Sequence, residues 1–128
     1  MMKITKEFRF EAAHNLINYE GKCKNLHGHT YKLLVTLDYP VQENGLAFDF
    51  CELERIVRER IIRRLDHSYL NDLLSQSSAE YLAIWIWENL KELPLFEIKI
   101  FETPFSSVTY RGEEQHLFPK VLKEKDSL

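Results

Sequence analysis

Residues 23–29 read Cys-Lys-Asn-Leu-His-Gly-His, and a third histidine, His14, lies thirteen residues before His27. His27 and His29 are two residues apart, so in an extended strand their side chains point to one face of a sheet. With an imidazole from a neighbouring strand, they could bind one metal ion. Three protein ligands with one open position are typical of a catalytic zinc site. Cys23 could place a thiol beside that metal.

The composition restricts the class of protein. A length of 128 residues fits a single domain over residues 1–128, and 45% hydrophobic with 12% aromatic residues support a folded core. The formal net charge of −3 argues against a nucleic-acid binder, which normally carries a basic surface. No apolar stretch reaches membrane-spanning length, and charged residues precede any apolar run near the N-terminus. We therefore expect a cytoplasmic protein.

The two cysteines have different expected roles. In a reducing compartment a disulfide between Cys23 and Cys51 is disfavoured, so each is considered as a separate thiol. We expect Cys51 to be a small buried hydrophobe, because it has no polar partner in the sequence around it. Cys23 would lie near a dication, which favours the reactive thiolate.

Alternation of apolar and polar residues predicts two long strands before the middle of the chain. Over residues 3–13 the side chains of Phe8, Phe10 and Ala12 share one face, and that face continues to His14. A second strand over 27–39 carries both of its histidines on the same face as its apolar row. The histidines are therefore expected on the apolar side of a sheet.

Two further strands are predicted near the C-terminus. Residues 95–102 align Phe96 with two isoleucines, and Glu102 is the next residue on that face. Residues 107–112 align Val108 with Tyr110. The remaining tail over 120–128 is polar, and we expect it to be frayed.

Two helices separate the strand pairs. Asp49 is predicted to cap the first, with Glu52 completing a capping box and apolar residues at helical spacing from Phe50 onwards. Ser77 is predicted to open the second, with Glu80 at the capping-box position. The order ββααββ predicts an α+β fold with an antiparallel four-stranded sheet and two helices on one face.

Six short motifs follow one another along the chain. They read F-E-A-A-H at 10–14, C-K-N-L-H-G-H at 23–29, D-F-C-E-L at 49–53, L-D-H-S-Y-L-N at 65–71, S-A-E at 78–80 and E-T at 102–103. In this order they resemble the family of 6-pyruvoyl-tetrahydropterin and 6-carboxy-tetrahydropterin synthases, whose members share the tunnelling fold. The resemblance extends from Phe8 to Tyr110.

The resemblance implies a zinc ion bound by His14, His27 and His29, with Cys23 as the proton-transferring thiol. Three residues separate Cys23 from His27, a spacing that resembles the bacterial 6-carboxy type. The resemblance implies a lyase that converts 7,8-dihydroneopterin triphosphate to 6-carboxy-5,6,7,8-tetrahydropterin, acetaldehyde and triphosphate. This reaction is a step in the synthesis of queuosine-type nucleosides. The alternatives are a 6-pyruvoyl-tetrahydropterin synthase and a zinc-binding module without catalysis.

Four more residues receive roles from the resemblance. It implies that Asp66 and His67 complete a proton relay, because an adjacent acid and imidazole can orient and charge one another. By themselves they could equally be a polar helix end, where a histidine is favourable. It implies that Glu102 anchors the pterin ring, whose amino and ring N–H groups a carboxylate can accept together. Ser78 stands where the family has a threonine and keeps the hydroxyl for substrate binding.

The resemblance also implies an assembly. Open sheet edges in so short a chain are a liability unless they are paired. Closing the sheets of several subunits into a barrel removes these edges. The resemblance implies trimers that stack into a homohexamer, with the active sites between subunits.

Overall fold

The computed structural model describes residues 1–124. Within them the strands are β1 (Met2–His14), β2 (His27–Tyr39), β3 (Ser68–Tyr69), β4 (Leu95–Thr103) and β5 (Ser106–Tyr110). The helices are α1 (Phe50–Val57), α2 (Arg63–Leu65), α3 (Ala79–Asn89) and α4 (Phe118–Val121). A π-helical segment, Arg58–Ile62, joins α1 to α2 without leaving helical geometry. None of these helices is long and apolar enough to span a membrane.

The strands form one sheet in the order β3-β1-β2-β4-β5. Neighbours are antiparallel except β3, which runs parallel to β1 through the pairs Ala12–Ser68 and Ala13–Tyr69. The α+β prediction with four antiparallel strands is confirmed, and β3 is an addition to it. A two-residue strand is too short to produce an alternating pattern, so alternation could not predict it.

The apolar faces of the strands form one side of the core. Phe8 and Phe10 of β1 are buried together with Tyr31 and Leu33 of β2, and the Phe10 and Tyr31 rings stack with centroids 5.0 Å apart. His14 continues this row and is also buried. The histidines thus lie at the end of the core side of the sheet, as the alternation predicts.

The helices cover that same side. α1 and α2 lie against β1, and α3 lies against β4 and β5. Helix residues that complete the core include Leu53, Val57, Ile61, Leu65, Leu82, Trp85 and Ile86. Phe50 departs from the prediction because it is about half exposed, at the first turn where α1 has not yet reached the sheet.

The helix starts also differ in part from the predictions. Asp49 caps α1 through the backbone N–H of Cys51, but Glu52 pairs with Arg55 instead of closing a capping box. The cap of α3 is Ser78, not Ser77, and it accepts from the N–H of Tyr81. Because the helix starts one residue later, Glu80 falls outside the capping-box position and is exposed.

A bulge changes which residue of β4 faces the core. The register between β2 and β4 shifts after Thr36, so that Leu37 pairs with Leu95. Leu95 therefore packs against the core. Phe96 instead lies under the cations of Lys3 and Arg111, so its predicted alignment with Ile98 was wrong.

The start of the C-terminal tail is docked rather than frayed. Val121 is fully buried, Leu122 bridges to Leu74, and the N–H of Lys123 donates to the carbonyl of Leu73 at 3.0 Å. The prediction of a frayed tail is therefore wrong for residues 120–123. Its last four residues, 125–128, lie outside the described residues.

Candidate metal centre

Four side chains converge at the end of the core side of the sheet. His14 comes from β1, His27 and His29 from β2, and Glu102 from β4, and one ligand atom of each lies within 4.8 Å of all the others. The ladder explains this convergence, because His14 pairs directly with His27 and Ala12 with His29. The three histidines predicted from spacing are brought together, and Glu102 joins them.

Backbone carbonyls fix the tautomers of two imidazoles. His14 Nδ1 lies 2.7 Å from the carbonyl oxygen of Ser77, and His27 Nδ1 lies 2.6 Å from that of Asn25. A carbonyl oxygen only accepts, so each Nδ1 carries the proton and each neutral ring keeps a lone pair on Nε2. These two Nε2 atoms face each other at 3.0 Å. Two lone pairs at that distance repel unless a proton or a metal ion is shared between them.

The distances between the candidate ligand atoms are close to those of a zinc site. Nitrogen and oxygen ligands at about 2.0–2.2 Å from a tetrahedral zinc are separated from each other by roughly 3.3–3.6 Å. Here His14 Nε2 to His27 Nε2 is 3.0 Å, His29 Nε2 to Glu102 Oε1 is 3.0 Å, and His14 Nε2 to Glu102 Oε1 is 3.5 Å. The first two distances are shorter than this spacing, so a metal ion would fit among these residues after small shifts of their side chains.

The third imidazole lacks a hydrogen bond of its own. His29 Nε2 is buried, and among residues 1–124 it has no hydrogen-bond partner. The nearest polar atom is Glu102 Oε1 at 3.0 Å, an ion-pair distance. A buried polar atom without a partner is costly, and a bound cation would satisfy it.

The electrostatics favour an anionic carboxylate among imidazoles. Contact with His14 lowers the pKa of Glu102, although burial opposes this. Burial alone would lower the pKa of His14, but Glu102 and the Ser77 carbonyl outweigh it and raise that pKa. Burial and the neighbouring imidazoles lower the pKa of His29 against the pull of Glu102. The cluster thus holds one negative charge among nitrogen donors, a set suited to a dication.

The predicted relay pair is formed at the edge of the sheet. His67 Nδ1 lies 3.1 Å from Asp66 Oδ2. The backbone of Glu11 holds both residues, because its N–H donates to Asp66 Oδ1 at 2.9 Å and its carbonyl accepts from the His67 N–H at 2.6 Å. The bond from Glu11 is the first cause of the lowered pKa of Asp66, and the nearby His67 adds to it.

His67 has two unusual features. Its φ is 58°, a left-handed conformation that non-glycine residues seldom adopt and that often marks functional sites. Its side chain is 81% exposed, so the relay imidazole is open to whatever lies against this edge.

The two cysteines differ in exposure, and the prediction for Cys51 is wrong. Cys51 is exposed on the first turn of α1, so its prediction as a buried hydrophobe is wrong. Cys23 is half-buried in a 3-10 turn between β1 and β2, and its carbonyl accepts from the N–H of Leu16 at 2.8 Å. Leu16 follows His14 by two residues, so this bond ties the Cys23 turn to the histidine end of β1.

Two open clefts border the cluster. One, of about 510 Å³, contains His29 and Glu102 with Arg9 and Lys32, and the other contains His29 and His67. Cys23 lines neither cleft. Ser78 also lines neither, and its hydroxyl is engaged as the helix cap. The structure thus groups the candidate metal ligands, Glu102 and His67 around His29.

Sequence reasoning missed the residues that hold the end of β1. Asn71 and Ser77 are buried, and both bind the backbone of Asn15 next to His14. Asn71 is the last residue of the motif at 65–71, and its place in that motif is the signal that could have identified it. The contact of Ser77 with His14 is made by its carbonyl, a group that every residue has, so the identity of Ser77 does not mark that contact.

A three-histidine cluster on an α+β sheet, with an acid–imidazole pair on an adjoining cleft, is typical of a metal-dependent enzyme. The family profile described as 6-pyruvoyl tetrahydropterin synthase matches residues 3–113, and the chain belongs to this family.

Similar proteins include two bacterial relatives and one solved structure. The 6-carboxy-5,6,7,8-tetrahydropterin synthase of Haemophilus influenzae is 33% identical over 140 residues, covering 87% of this chain and 99% of its own. That of Synechocystis is 39% identical over 120 residues, covering 86% and 93%. The structure of Caenorhabditis elegans 6-pyruvoyl tetrahydropterin synthase has a TM-score of 0.80 at 27% identity, covering 88% of this chain and 96% of its own.

Proposed function

We propose that this protein is a zinc-dependent lyase that converts 7,8-dihydroneopterin triphosphate to 6-carboxy-5,6,7,8-tetrahydropterin, acetaldehyde and triphosphate. The product would serve queuosine-type nucleoside synthesis. The observation that carries the proposal is the convergence of three imidazoles and a carboxylate beside an open cleft. The bacterial relatives named for this product support it, since they match the chain over nearly their whole length.

The metal residues would be His14, His27 and His29. Zinc bound there supplies a Lewis acid for the side-chain oxygens of the substrate. The carbonyls of Ser77 and Asn25 orient two of these imidazoles, which raises the basicity of their Nε2 atoms toward a cation.

Proton transfer is assigned to two groups. The Cys23 thiolate and the Asp66–His67 pair act on opposite sides of the substrate side chain as general bases and acids. Asp66 is anchored by the backbone of Glu11 and holds Nδ1 of His67, so that Nε2 is free to exchange a proton with substrate.

Substrate recognition is assigned to Glu102 and Ser78. The Glu102 carboxylate accepts from the amino and ring N–H groups of the pterin, a charge-assisted pair of hydrogen bonds. Ser78 would contribute its hydroxyl, which can donate while its oxygen continues to accept from Tyr81. The exposed His67 fits a site completed by a neighbouring subunit of a homohexamer.

The two alternatives predict different products. A 6-pyruvoyl-tetrahydropterin synthase releases triphosphate without carbon–carbon cleavage. A zinc-binding module without catalysis converts no substrate. Purified protein with 7,8-dihydroneopterin triphosphate separates the three cases. Acetaldehyde in a 1:1 ratio to consumed substrate supports the lyase. A pyruvoyl product without acetaldehyde, or unchanged substrate, contradicts it.

A further inference from the structure

A row of two cations and an aromatic ring crosses the face of the sheet opposite the helices. Arg9, Lys32 and Phe101 are successive ladder partners on β1, β2 and β4. Phe10 and Leu33, which follow the two cations along their strands, are buried in the core. Because side chains alternate between the faces of a strand, Arg9 and Lys32 point away from the core.

The two cations are placed unfavourably for an unliganded sheet. Like charges directly opposite each other on neighbouring strands destabilise the pair. The nearby acids do not neutralise both of them, since Glu7 contacts only Arg9 and Glu11 accepts from the hydroxyl of Thr30. Lys32 forms no ion pair within residues 1–124, and its ammonium lies 4.2 Å from the centre of the Phe101 ring.

The row has hydrogen-bond donors that the protein does not use. Arg9 donates to Glu7 through Nε at 3.3 Å, and within residues 1–124 neither of its Nη groups makes a hydrogen bond. Lys99 adds a third cation, with its ammonium 5.5 Å from the centre of the Phe101 ring. A guanidinium can donate two parallel hydrogen bonds to a phosphate, and an ammonium supplies a compact charge beside it. This donor set suits an anion of several phosphates.

Arg9, Lys32 and Phe101 line an open cleft of about 510 Å³, a volume typical of small-molecule sites. Glu102 also lines this cleft and would oppose an anion. Its Oε1, however, lies 3.0 Å from His29 Nε2 and 3.5 Å from the Nε2 of His14. The negative charge of Glu102 is therefore directed at the imidazoles, whereas the cations face the open side of the sheet.

We propose that this cleft binds a polyphosphate chain through Arg9 and Lys32. An anion between the two side chains replaces their mutual repulsion with two attractive contacts. Ladder partners lie about 4.5–5.5 Å apart at their Cα atoms, so consecutive phosphates can reach both cations at once. The chain could be the triphosphate of the substrate, an assignment that rests on the proposed function, or a free polyphosphate, which does not depend on it.

Titration calorimetry with inorganic triphosphate tests the site. The double variant Arg9→Gln, Lys32→Gln should bind it at least about tenfold more weakly than wild type, the loss expected when one charge-assisted hydrogen bond is removed. The double variant Arg55→Gln, Lys91→Gln is the matched control, because it removes the same charge at exposed residues outside the sheet. It should bind like wild type. No substitution changes a histidine, so any binding of triphosphate to a metal is common to all three proteins.

Thermal unfolding gives an independent readout. Inorganic triphosphate should raise the Tm of wild type and of the control but not that of Arg9→Gln, Lys32→Gln, because a ligand stabilises the folded state that binds it. Without ligand, this variant should melt no lower than wild type, since its like-charge pair is gone. The same measurement shows that the variant folds.

Kinetics separate the two sources of polyphosphate. If the substrate's triphosphate occupies the cleft, inorganic triphosphate competes with substrate, and Arg9→Gln, Lys32→Gln raises KM more than it lowers kcat. If the ligand is a free polyphosphate, triphosphate binds alongside saturating substrate and KM is unchanged. Either result supports the site. Equal triphosphate affinity in wild type and Arg9→Gln, Lys32→Gln, or no binding to wild type at millimolar triphosphate, would overturn it, whichever product the enzyme assay detects.

Discussion

His14 and His27 are direct partners across the β1–β2 ladder, and their Nε2 atoms lie 3.0 Å apart. Carbonyls of Ser77 and Asn25 hold the protons of both rings on the far nitrogens. When both rings are neutral, the structure therefore directs two lone pairs at one point, which is unfavourable unless a proton or a metal ion is bound there. This pair is the physical basis for assigning a metal centre.

The thiol prediction compares the two cysteines. Cys23→Ala should keep its metal and fold but lose turnover, because general acid–base catalysis typically contributes about 10²–10⁴-fold. Cys51→Ala is the control, since Cys51 is exposed on the first turn of α1 and lines neither cleft beside the cluster. Steady-state acetaldehyde release with metal analysis measures both. Wild-type turnover in Cys23→Ala would exclude the thiol from the chemistry.

The relay prediction compares two exposed histidines. His67→Ala should lower kcat by about 10²-fold or more if the proposed relay holds, because it removes the imidazole that is paired with Asp66 for proton transfer. His116→Ala should have no effect, although His116 is also exposed and lies 3.4 Å from an acid, Glu114. Equal kcat values for both variants would show that the Asp66–His67 pair is only a polar helix end.

A stability prediction concerns two buried tyrosines. The Tyr31 hydroxyl has no protein partner among residues 1–124, and burial raises its pKa. Tyr31→Phe should therefore raise the free energy of unfolding by about 1 kcal/mol, since an uncompensated polar group is removed. The Tyr110 hydroxyl accepts from the N–H of Glu114, so Tyr110→Phe should lower it by about 1 kcal/mol. Urea unfolding measures both, and a destabilised Tyr31→Phe would reveal a hidden partner of that hydroxyl.

The assembly prediction follows from the sheet. β5 and β3 are its outer strands in the strand order, and each leaves one side without a strand partner in the described chain. Exposed edges tend to pair with other chains. Light scattering at working concentration should give the mass of a hexamer. A monomer under the same conditions would contradict the assembly and the placement of the site between subunits.

Much of the fold follows from local patterns. Strict alternation in β1 and β2 predicted both strands and the shared face of His14, His27 and His29, because one side of that sheet is buried. Alternation failed at Phe96, where a bulge reverses the face of the residue. A bulge depends on pairing with another strand, so the pattern within β4 carried no sign of it.

The site was predictable where side-chain identity decides the chemistry. Histidine spacing predicted that His14, His27 and His29 come together, but the approach of Glu102 depends on the register of β4 against β2. The role of Ser77 depends on its carbonyl, which sequence does not distinguish. The start of α3 was misplaced by one residue because Ser77 and Ser78 are equally good caps, and tertiary packing selects between them.

The most direct test of the central claim is acetaldehyde release from one preparation before and after removal of its metal. We predict that chelator-treated protein, with its fold intact by circular dichroism, forms no acetaldehyde from 7,8-dihydroneopterin triphosphate. One equivalent of zinc per chain should restore the original rate. Metal-free protein that releases acetaldehyde at the untreated rate would contradict the account.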